Sequence, residues 1–313
     1  MSTPNPAPTL AAFSQDLADI VERMGVSVVA LQARRSYPSS AFIVQPGVVV
    51  TAAHTLRRED GITAIQSDGS ATPATLVGVD PGTDIAVLRL ESPLEPARAT
   101  PVTFGDARAA RPGNFVVAVS RGVDGSLAAS AGVVARTGGE WRTWRGGYID
   151  RQIQLDGGLW AGFSGGPVVD ASGGVLGIGT SALSRGRAVV IPGSVLKRVS
   201  EQLLTGGRVS HAYIGAAVQS VELPSALRAQ LGISSTHGLI VISTVPQGPA
   251  DSAGILLGDT LLTLDEKPLS EVEDLKAALS ADRVGQPVAV SLIRGGKLLA
   301  LEATVGERPR DRC

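Results

Sequence analysis

From Val26 to about Ile191 the chain is a succession of short, β-branched apolar runs separated by glycine and proline, without a long stretch of helical periodicity. The clearest of these runs cover residues 27–33, 40–51, 85–90, 115–119 and 175–180. Runs of this length are typical of strands, and the 38 glycines and 19 prolines supply the tight turns between them. The pattern predicts a mostly β domain built as two packed antiparallel barrels, although spacing alone does not distinguish barrels from a sandwich.

Two predicted helices flank the strand-rich region. Near the N-terminus, apolar residues recur at helical spacing from Phe13 to Met24, and Gly25 ends the pattern. A second helix is predicted over 194–205, with a pair of glycines just past its end. Because 313 residues exceed the usual size of one compact domain, we place a domain boundary after this helix.

Beyond the boundary the sequence predicts a smaller domain that mixes strands and helix. Strands are expected over 213–218 and 239–245, and Ser270 with Glu273 forms a capping box that opens a helix. The predicted division is an N-terminal segment with a short amphipathic helix (1–25), a strand-rich domain (26–206), a small α+β domain (207–308) and a tail (309–313).

Charge and cysteine content exclude several kinds of function. The net charge is −1, and no run of Lys or Arg could follow a phosphate backbone, so nucleic acid is not an expected partner. The single cysteine, Cys313, is the last residue, on a charged tail. It therefore excludes both an internal disulfide and thiol catalysis.

The N-terminal part of the sequence predicts neither a secretory signal nor a membrane span. Asp16, Asp19 and Glu22 precede the first positive charge, Arg23, which reverses the charge order of a secretory signal. Residues 36–56 lack charge, but prolines and a glycine interrupt them, so they are interpreted as buried strands. As written, the sequence predicts a cytoplasmic protein.

The segment Gly162-Phe163-Ser164-Gly165-Gly166-Pro167 is the strongest single indication of chemistry. Glycines on both sides let the backbone turn sharply and expose the serine to a substrate. In such a turn the N–H groups of Gly162 and Ser164 can point at one spot and stabilise the oxyanion of a tetrahedral intermediate. The simpler alternative is a glycine-rich hairpin turn without chemistry.

A serine hydroxyl becomes a good nucleophile only when a neighbouring base takes its proton, and the sequence contains three histidines. His54 ends an apolar strand, where a side chain can leave the core and face a cleft. His211, in the interdomain linker, and His237, in a turn, are more simply interpreted as surface residues. A single strand-end histidine is often structural, so His54 alone does not establish catalysis.

The third member of such a site is a carboxylate that orients the imidazole and offsets the charge of the imidazolium. Asp84 precedes the apolar run 85–88, which would bury its backbone and restrict its solvation. Asp80 is the alternative, interpreted as a solvated turn residue. The chain order His54, Asp84, Ser164 is the chymotrypsin order, whereas α/β-hydrolases and subtilisins use other orders.

With these motifs the chain resembles the HtrA (Deg) family of serine proteases, in which a trypsin-like domain precedes a PDZ domain. The resemblance covers nearly the whole chain. In the first domain it rests on residues 51–54, 83–88, 104–106, 113–118 and 164–167. In the second domain Tyr213, Ile214, Gly215 and Ala216 resemble the carboxylate-binding loop and peptide-pairing edge of the family's PDZ domain.

The resemblance implies a chymotrypsin-like double β-barrel followed by a PDZ domain, and a serine endopeptidase that hydrolyses unfolded or tail-tagged proteins. It implies protein and peptide substrates, C-terminal peptides at the PDZ domain, a homotrimer, and a place in the cell envelope or periplasm. Phe13 is the only aromatic residue ahead of the strands that could hold such a trimer. Neither a metal nor a cofactor is expected. The alternative is a pseudo-protease that binds C-termini through PDZ without cutting.

The sequence departs from the family pattern around the nucleophile. Phe163 stands where the family has Asn, and we expect its ring to pack beneath the oxyanion turn. Ser120-Arg121-Gly122 replaces a Gly-Asn-Pro turn. Trypsin-type pockets carry an acid six residues before the nucleophile, and that position is Gly158 here. The resemblance implies a specificity pocket that is walled by residues near 180–182 and 189–191 and takes small or medium aliphatic side chains.

Overall fold

The chain forms two compact units, residues 1–209 and 210–313, in a computed structural model. The structure describes residues 10–33, 38–57, 60–92, 100–143, 145–184, 187–207, 209, 212–279 and 283–307. His211, Cys313 and the predicted tail lie outside the described residues.

The first six strands close into an antiparallel barrel in the order β1-β2-β3-β6-β5-β4. Their bounds are β1 Val28–Gln32, β2 Ser39–Gln45, β3 Val48–Ala52, β4 Ile62–Ile65, β5 Ala71–Asp80 and β6 Ile85–Leu90. The predicted single strand over 40–51 is in fact the hairpin β2–β3. Gly47 has φ 72°, and the chain reverses there so that Ile43 pairs with Val49. Apolar residues on both sides of this turn hid it from the periodicity.

A second closed barrel follows, with the strand order β11-β14-β13-β12-β7-β8. The strands of this part of the chain are β7 Phe115–Arg121, β8 Leu127–Gly138, β9 Trp141–Arg142, β10 Tyr148–Ile149, β11 Gln152–Leu155, β12 Pro167–Asp170, β13 Val175–Thr180 and β14 Val189–Pro192. Among the strands of the described residues, β9 and β10 pair with each other alone, and they form a small hairpin between β8 and β11. The prediction of two barrels rather than a sandwich is confirmed.

The two barrels pack against each other through an apolar cluster that both helices of the first unit help to cover. Helix α1 (Leu10–Gly25) contributes Ile20 and Met24, and helix α2 (Gly193–Gly206) contributes four residues, including Leu203. Two further clusters fill the barrel interiors. Phe13 packs edge-on against Phe115 of the same chain, with ring centroids 4.9 Å apart. Among the described residues, no helix is both long enough and apolar enough to cross a membrane.

The second unit has its own apolar cluster beneath one main sheet. Its elements are β15 Ala212–Tyr213, β16 Ala216–Glu222, α3 Ser225–Leu231, β17 His237–Thr244, α4 Pro249–Ser252, β18 Thr260–Leu264, β19 Lys267–Pro268, α5 Val272–Ala278, β20 Pro287–Arg294, β21 Lys297–Thr304 and β22 Gly306–Glu307. The main sheet runs β16-β17-β18-β20-β21, with β19 paired to β18.

Two details of this unit differ from the sequence prediction. The capping box of α5 is formed by Glu271 and Asp274, one residue later than predicted, because the short Asp274 side chain reaches back to the Glu271 N–H at 2.8 Å. The predicted strand over 213–218 is interrupted at Ile214 and Gly215, so that β16 begins only at Ala216.

Candidate active site

The structure brings His54 and Asp84 together at the open end of the first barrel. His54 lies in a short 3-10 turn directly after β3, and Asp84 directly precedes β6. Because β3 and β6 pair antiparallel, with Ala52 opposite Ile85, the two residues become neighbours. The His54 Nδ1 atom is 2.8 Å from Asp84 Oδ2, and the His54 backbone N–H donates to Asp84 Oδ1 at 2.8 Å.

Asp84 is buried and fixed by several donors. Its side chain and backbone are 2% exposed, whereas the His54 side chain is 28% exposed. The hydroxyl of Thr180, on β13 of the second barrel, also donates to Asp84 Oδ2. A carboxylate held in this way favours a proton on Nδ1 of His54, which leaves Nε2 as the basic nitrogen. Asp84 therefore has the position that an orienting carboxylate requires.

The structure corrects our interpretation of Asp80 from the sequence. We expected a solvated turn residue, but Asp80 is 1% exposed. Its carboxylate accepts hydrogen bonds from the Gly82 N–H at 2.9 Å and the Thr83 hydroxyl at 2.7 Å. It therefore stabilises the turn that leads to Asp84. This role depends on the two local donors, and the composition of the segment does not indicate it.

Ser164 is half-buried in the turn between β11 and β12. Its Oγ atom lies 3.5 Å from the Oγ of Ser181, the residue after Thr180. Adjacent residues of the second barrel thus contact Asp84 and Ser164. Gly165 lies directly against the first barrel, because a Cβ atom there would be 2.2 Å from Ser40 O and 3.0 Å from Ala52 N. The serine turn is therefore seated at the end of the strand that leads to His54.

Ser40 holds the candidate oxyanion turn from the first barrel. Its hydroxyl donates to the carbonyl of Gly162 at 2.8 Å, and its N–H donates to the carbonyl of Ser164 at 3.4 Å. The N–H groups of Phe163 and Gly165 donate to the carbonyls of Trp160 and Gly179. The alternate N–H groups, of Gly162 and Ser164, remain the candidate oxyanion donors.

Arg121 supports Ser40 and is itself unusual. Its N–H donates to the Ser40 hydroxyl at 3.2 Å, while its guanidinium, 4% exposed, donates to the carbonyls of Gly25, Val28 and Gly125. Burial lowers the pKa of the Arg121 guanidinium. The side chain thereby ties the last residue of α1 to the β7–β8 hairpin, beside the residue that holds the oxyanion turn.

The specificity region beside Ser164 contains no charge at the expected position. Gly158 carries no side chain, and Leu159 lies against β13, because a Cβ atom on Gly179 would be 3.1 Å from Leu159 Cδ1. Phe163 is 7% exposed and belongs to the apolar cluster inside the second barrel, whereas Trp160 is 73% exposed.

Comparisons with known proteins agree with this arrangement. Residues 39–178 match the trypsin-like peptidase domain family, and residues 208–305 match the PDZ domain family. A protein of Brucella suis named "probable periplasmic serine endoprotease DegP-like" is 34% identical over 281 residues, which are 87% of this chain and 53% of that protein. A protein of the same name from Rhizobium meliloti is 34% identical over 88% of this chain and 54% of its own length.

Solved structures match most of the chain, including residues of both units. The HtrA-type protease AlgW with a decapeptide superposes with a TM-score of 0.74 at 28% identity, over 94% of this chain and 99% of that one. The chain is thus similar to HtrA-type serine proteases over nearly its whole length. A serine endoprotease from Yersinia pestis also superposes with a TM-score of 0.74, at 25% identity, over 98% of this chain and 100% of that one.

The chain spans about half of the length of the curated relatives that it matches. The resemblance read from its motifs is confirmed, and so is the fold class, a chymotrypsin-like double barrel followed by a PDZ domain. The curated relatives are named as periplasmic, so they give no support to the cytoplasmic expectation.

The PDZ domain of the chain carries the predicted peptide-binding residues at one edge of its sheet. Tyr213 ends β15, Gly215 has φ 77°, and Ala216 begins β16, the edge strand. Ile214 is buried, and its carbonyl accepts from the Ala250 N–H at 2.7 Å. The loop is thus anchored from below, while one side of β16 lacks a strand partner among the described residues.

Sequence reasoning did not predict the contacts that three residues make with the candidate site: Ser40, Thr180 and Ser181. Each lies in or next to a strand, and each reaches a site residue at least 17 positions away in the chain. Ser40 stands two residues before Phe42, inside a run that we interpreted only as buried strand. A hydroxyl in an otherwise apolar run was the one available sign.

Proposed function

We propose that the chain is a serine endopeptidase in which His54, Asp84 and Ser164 act as a catalytic triad. The observation that carries the proposal is the double hydrogen bond from His54 to the buried Asp84 carboxylate, at 2.8 Å for each oxygen. It holds the imidazole at the end of β3, against which the Ser164 turn is seated. Similarity to the trypsin-like peptidase domain and to HtrA-type proteases supports the same function.

In the proposed reaction the three residues have different roles. His54 Nε2 takes the proton of Ser164 Oγ while that oxygen attacks the carbonyl carbon of the scissile peptide bond. The N–H groups of Gly162 and Ser164 donate to the resulting oxyanion. The imidazolium then gives its proton to the leaving amine, and water hydrolyses the acyl-enzyme by the same two steps. Asp84 stays ionised throughout and stabilises the imidazolium.

Cleavage of an unfolded protein separates this proposal from a pseudo-protease. The wild-type chain should degrade casein into peptides, whereas the Ser164→Ala variant should leave casein intact. Equal and negligible cleavage by both would favour the scaffold function, in which only the PDZ domain binds. The relatives named as periplasmic support the cell envelope as the compartment in which substrates are met. The homotrimer stays a prediction.

Ser40 provides a test of the oxyanion turn with a matched control. Ser40→Ala should lower kcat about tenfold with KM unchanged, because the Gly162 carbonyl loses a donor that fixes the turn. The neighbouring Ser39 is equally buried, and its hydroxyl has no hydrogen-bond partner in the described structure. Ser39→Ala should therefore retain the wild-type kcat on a small chromogenic peptide. Equal kcat values for the two variants would exclude a role for Ser40.

The PDZ domain is proposed to bind C-terminal peptides and to regulate cleavage. A peptide would add as a strand along β16, with its carboxylate held by N–H groups around Ile214 to Ala216 and its last side chain beside α5. Peptides with a free apolar C-terminal residue should then raise kcat/KM on a small chromogenic substrate about 5- to 150-fold. The same peptide with an amidated C-terminus is the control.

The alternative role is tethering, in which the PDZ domain concentrates long substrates without changing the protease. In that case calorimetry would show that the peptide with a free C-terminus binds. The small chromogenic substrate would nevertheless be cleaved at an unchanged rate. Activation by the amidated peptide to the same extent would contradict carboxylate recognition at residues 213–216.

A further inference from the structure

Asp84 lies at the end of a turn with a strained backbone. Its φ is 59°, in the left-handed region, which residues other than glycine adopt uncommonly and keep only where the surrounding structure fixes it. Within the turn, Asp80 bonds to Gly82 and Thr83. The carbonyl of Gly82, a buried residue, points instead to a partner from the second barrel.

That partner is the small hairpin β9–β10. The hydroxyl of Thr143 donates to the Gly82 carbonyl at 2.7 Å, and Thr143 is 1% exposed. Thr143 also closes the hairpin, because its N–H donates to the Gly147 carbonyl at 2.9 Å and its hydroxyl accepts from the Gly147 N–H at 3.1 Å. Residue 144 lies outside the described residues.

Gly147 brings the hairpin into backbone contact with the aspartate turn. A Cβ atom on Gly147 would lie 2.2 Å from the carbonyl carbon and oxygen of Gly82 and 2.6 Å from the nitrogen of Thr83. All three are backbone atoms, so they cannot move aside as the end of a flexible side chain can. The peptide that they form is the one immediately before the Thr83–Asp84 peptide.

The other side of the hairpin is anchored on the body of the second barrel and on α2. Ile149 is 1% exposed in the cluster between the barrels. The ring of Tyr148 lies near the guanidinium groups of Arg142 and Arg198, at 5.8 and 5.7 Å from its centroid, and Arg198 donates to the Tyr148 carbonyl at 2.9 Å. The hairpin thus has one fixed side and one side that touches the Asp84 turn.

We infer that the β9–β10 hairpin is a positioning element for the proposed triad, with Thr143 and Gly147 holding the Gly82–Thr83 peptide so that Asp84 keeps its left-handed conformation. This inference rests on the proposed function of Asp84. Its physical basis is that a small displacement of the turn would misalign both hydrogen bonds from Asp84 to His54. A misplacement of about 1 Å in such a site can cost about a hundredfold in rate.

Gly147→Ala tests the backbone contact, and Gly139→Ala is its matched control. Gly139 lies in the segment between β8 and β9, and a Cβ atom there meets nothing within 4 Å. On a small chromogenic peptide we expect Gly147→Ala to lower kcat about 10- to 100-fold with KM almost unchanged. Gly139→Ala should keep the wild-type kcat. Thermal unfolding monitors whether both variants fold.

Thr143→Val and Thr143→Ser test the hydroxyl independently, including the case in which Gly147→Ala does not fold. Thr143→Val keeps the side-chain shape and leaves the buried Gly82 carbonyl without its donor, so kcat should fall about tenfold. Thr143→Ser should restore most of the loss. The far-downfield proton NMR signal of the His54 Nδ1–H, which reports the bond to Asp84, should shift or broaden in Thr143→Val and return in Thr143→Ser.

Two results would overturn the inference. One is an equal kcat for folded Gly147→Ala and Gly139→Ala. The other is an equal kcat and an unchanged His54 signal for Thr143→Val and wild type. Either result is compatible with an active wild-type chain and an inactive Ser164→Ala variant, so the proposed function would stand. If Ser164→Ala instead cleaved as fast as wild type, the proposed function itself would fail.

Discussion

Replacing Ser164 by alanine should lower peptide hydrolysis by about 10⁵- to 10⁶-fold and leave the fold intact. The Ser164 hydroxyl is half-buried, and its side-chain contact is the Ser181 hydroxyl at 3.5 Å, so its removal opens no large cavity. His54→Ala should cost about as much, because nucleophile and base act as one unit. For the same reason the double variant should be no slower than either single variant.

The measurement is kcat/KM on a small chromogenic peptide, with the unfolding temperature of each variant as the control for folding. Ser181→Ala provides a comparison at the neighbouring hydroxyl and should lose far less activity than Ser164→Ala, since Ser181 has no assigned role in the covalent step. Activity within tenfold of wild type in Ser164→Ala or His54→Ala would contradict the assignment of both residues.

Asp84→Asn should lower kcat by about 10⁴-fold, the second largest effect expected. An asparagine amide presents a donor where Asp84 presents a carboxylate oxygen, so it favours the wrong imidazole tautomer and removes the charge that offsets the imidazolium. Asparagine tolerates the left-handed backbone conformation that Asp84 adopts at φ 59°. The substitution therefore changes the charge and the hydrogen bonding with little added backbone strain.

Asp80→Asn is the matched comparison, since Asp80 is equally buried and belongs to the same turn. Its carboxylate accepts from Gly82 and Thr83 rather than from His54. We therefore expect a loss at least a hundredfold smaller than that of Asp84→Asn. Losses of the same size in the two variants would indicate that the turn, and not the Asp84 carboxylate, is what catalysis requires.

Much of the fold could be predicted from the sequence because it follows from local pattern. The strands at 85–90 and 175–180 occur as predicted, since turn residues bound each of their apolar runs. The hairpin at Gly47 and the strand break at Gly215 were missed because their flanking residues continue the apolar pattern, while the glycine adopts a positive φ. Periodicity reports which faces are buried and not where the backbone reverses.

The candidate site also contains some residues that could be predicted from the sequence and others that could not. His54, Asp84 and Ser164 were chosen from motifs whose chemistry is local: a strand-end imidazole, a carboxylate before a buried run and a serine between glycines. The hydroxyls of Thr180 and Ser40 reach the candidate site through partners 96 and 122 residues away in the chain, which become neighbours when the two barrels pack together. No spacing rule within the sequence indicates such pairs.

Arg121 is the clearest example of a feature that only the structure explains. The sequence marks it as a departure from a family turn, and a surface position would be the ordinary expectation for an arginine. In the structure its guanidinium is buried against three backbone carbonyls, of Gly25, Val28 and Gly125. Burial without a carboxylate depends on where three separate chain segments present their carbonyls, which the sequence does not reveal.

Labelling with a fluorophosphonate probe, followed by mass spectrometry of the digested chain, tests the central claim most directly. The probe phosphonylates a serine only where a base and oxyanion donors activate its hydroxyl. We predict one modified residue per wild-type chain, at Ser164, and no modification of the His54→Ala variant over the same time. Modification of a different serine, or labelling of His54→Ala at the wild-type rate, would contradict the account of this site.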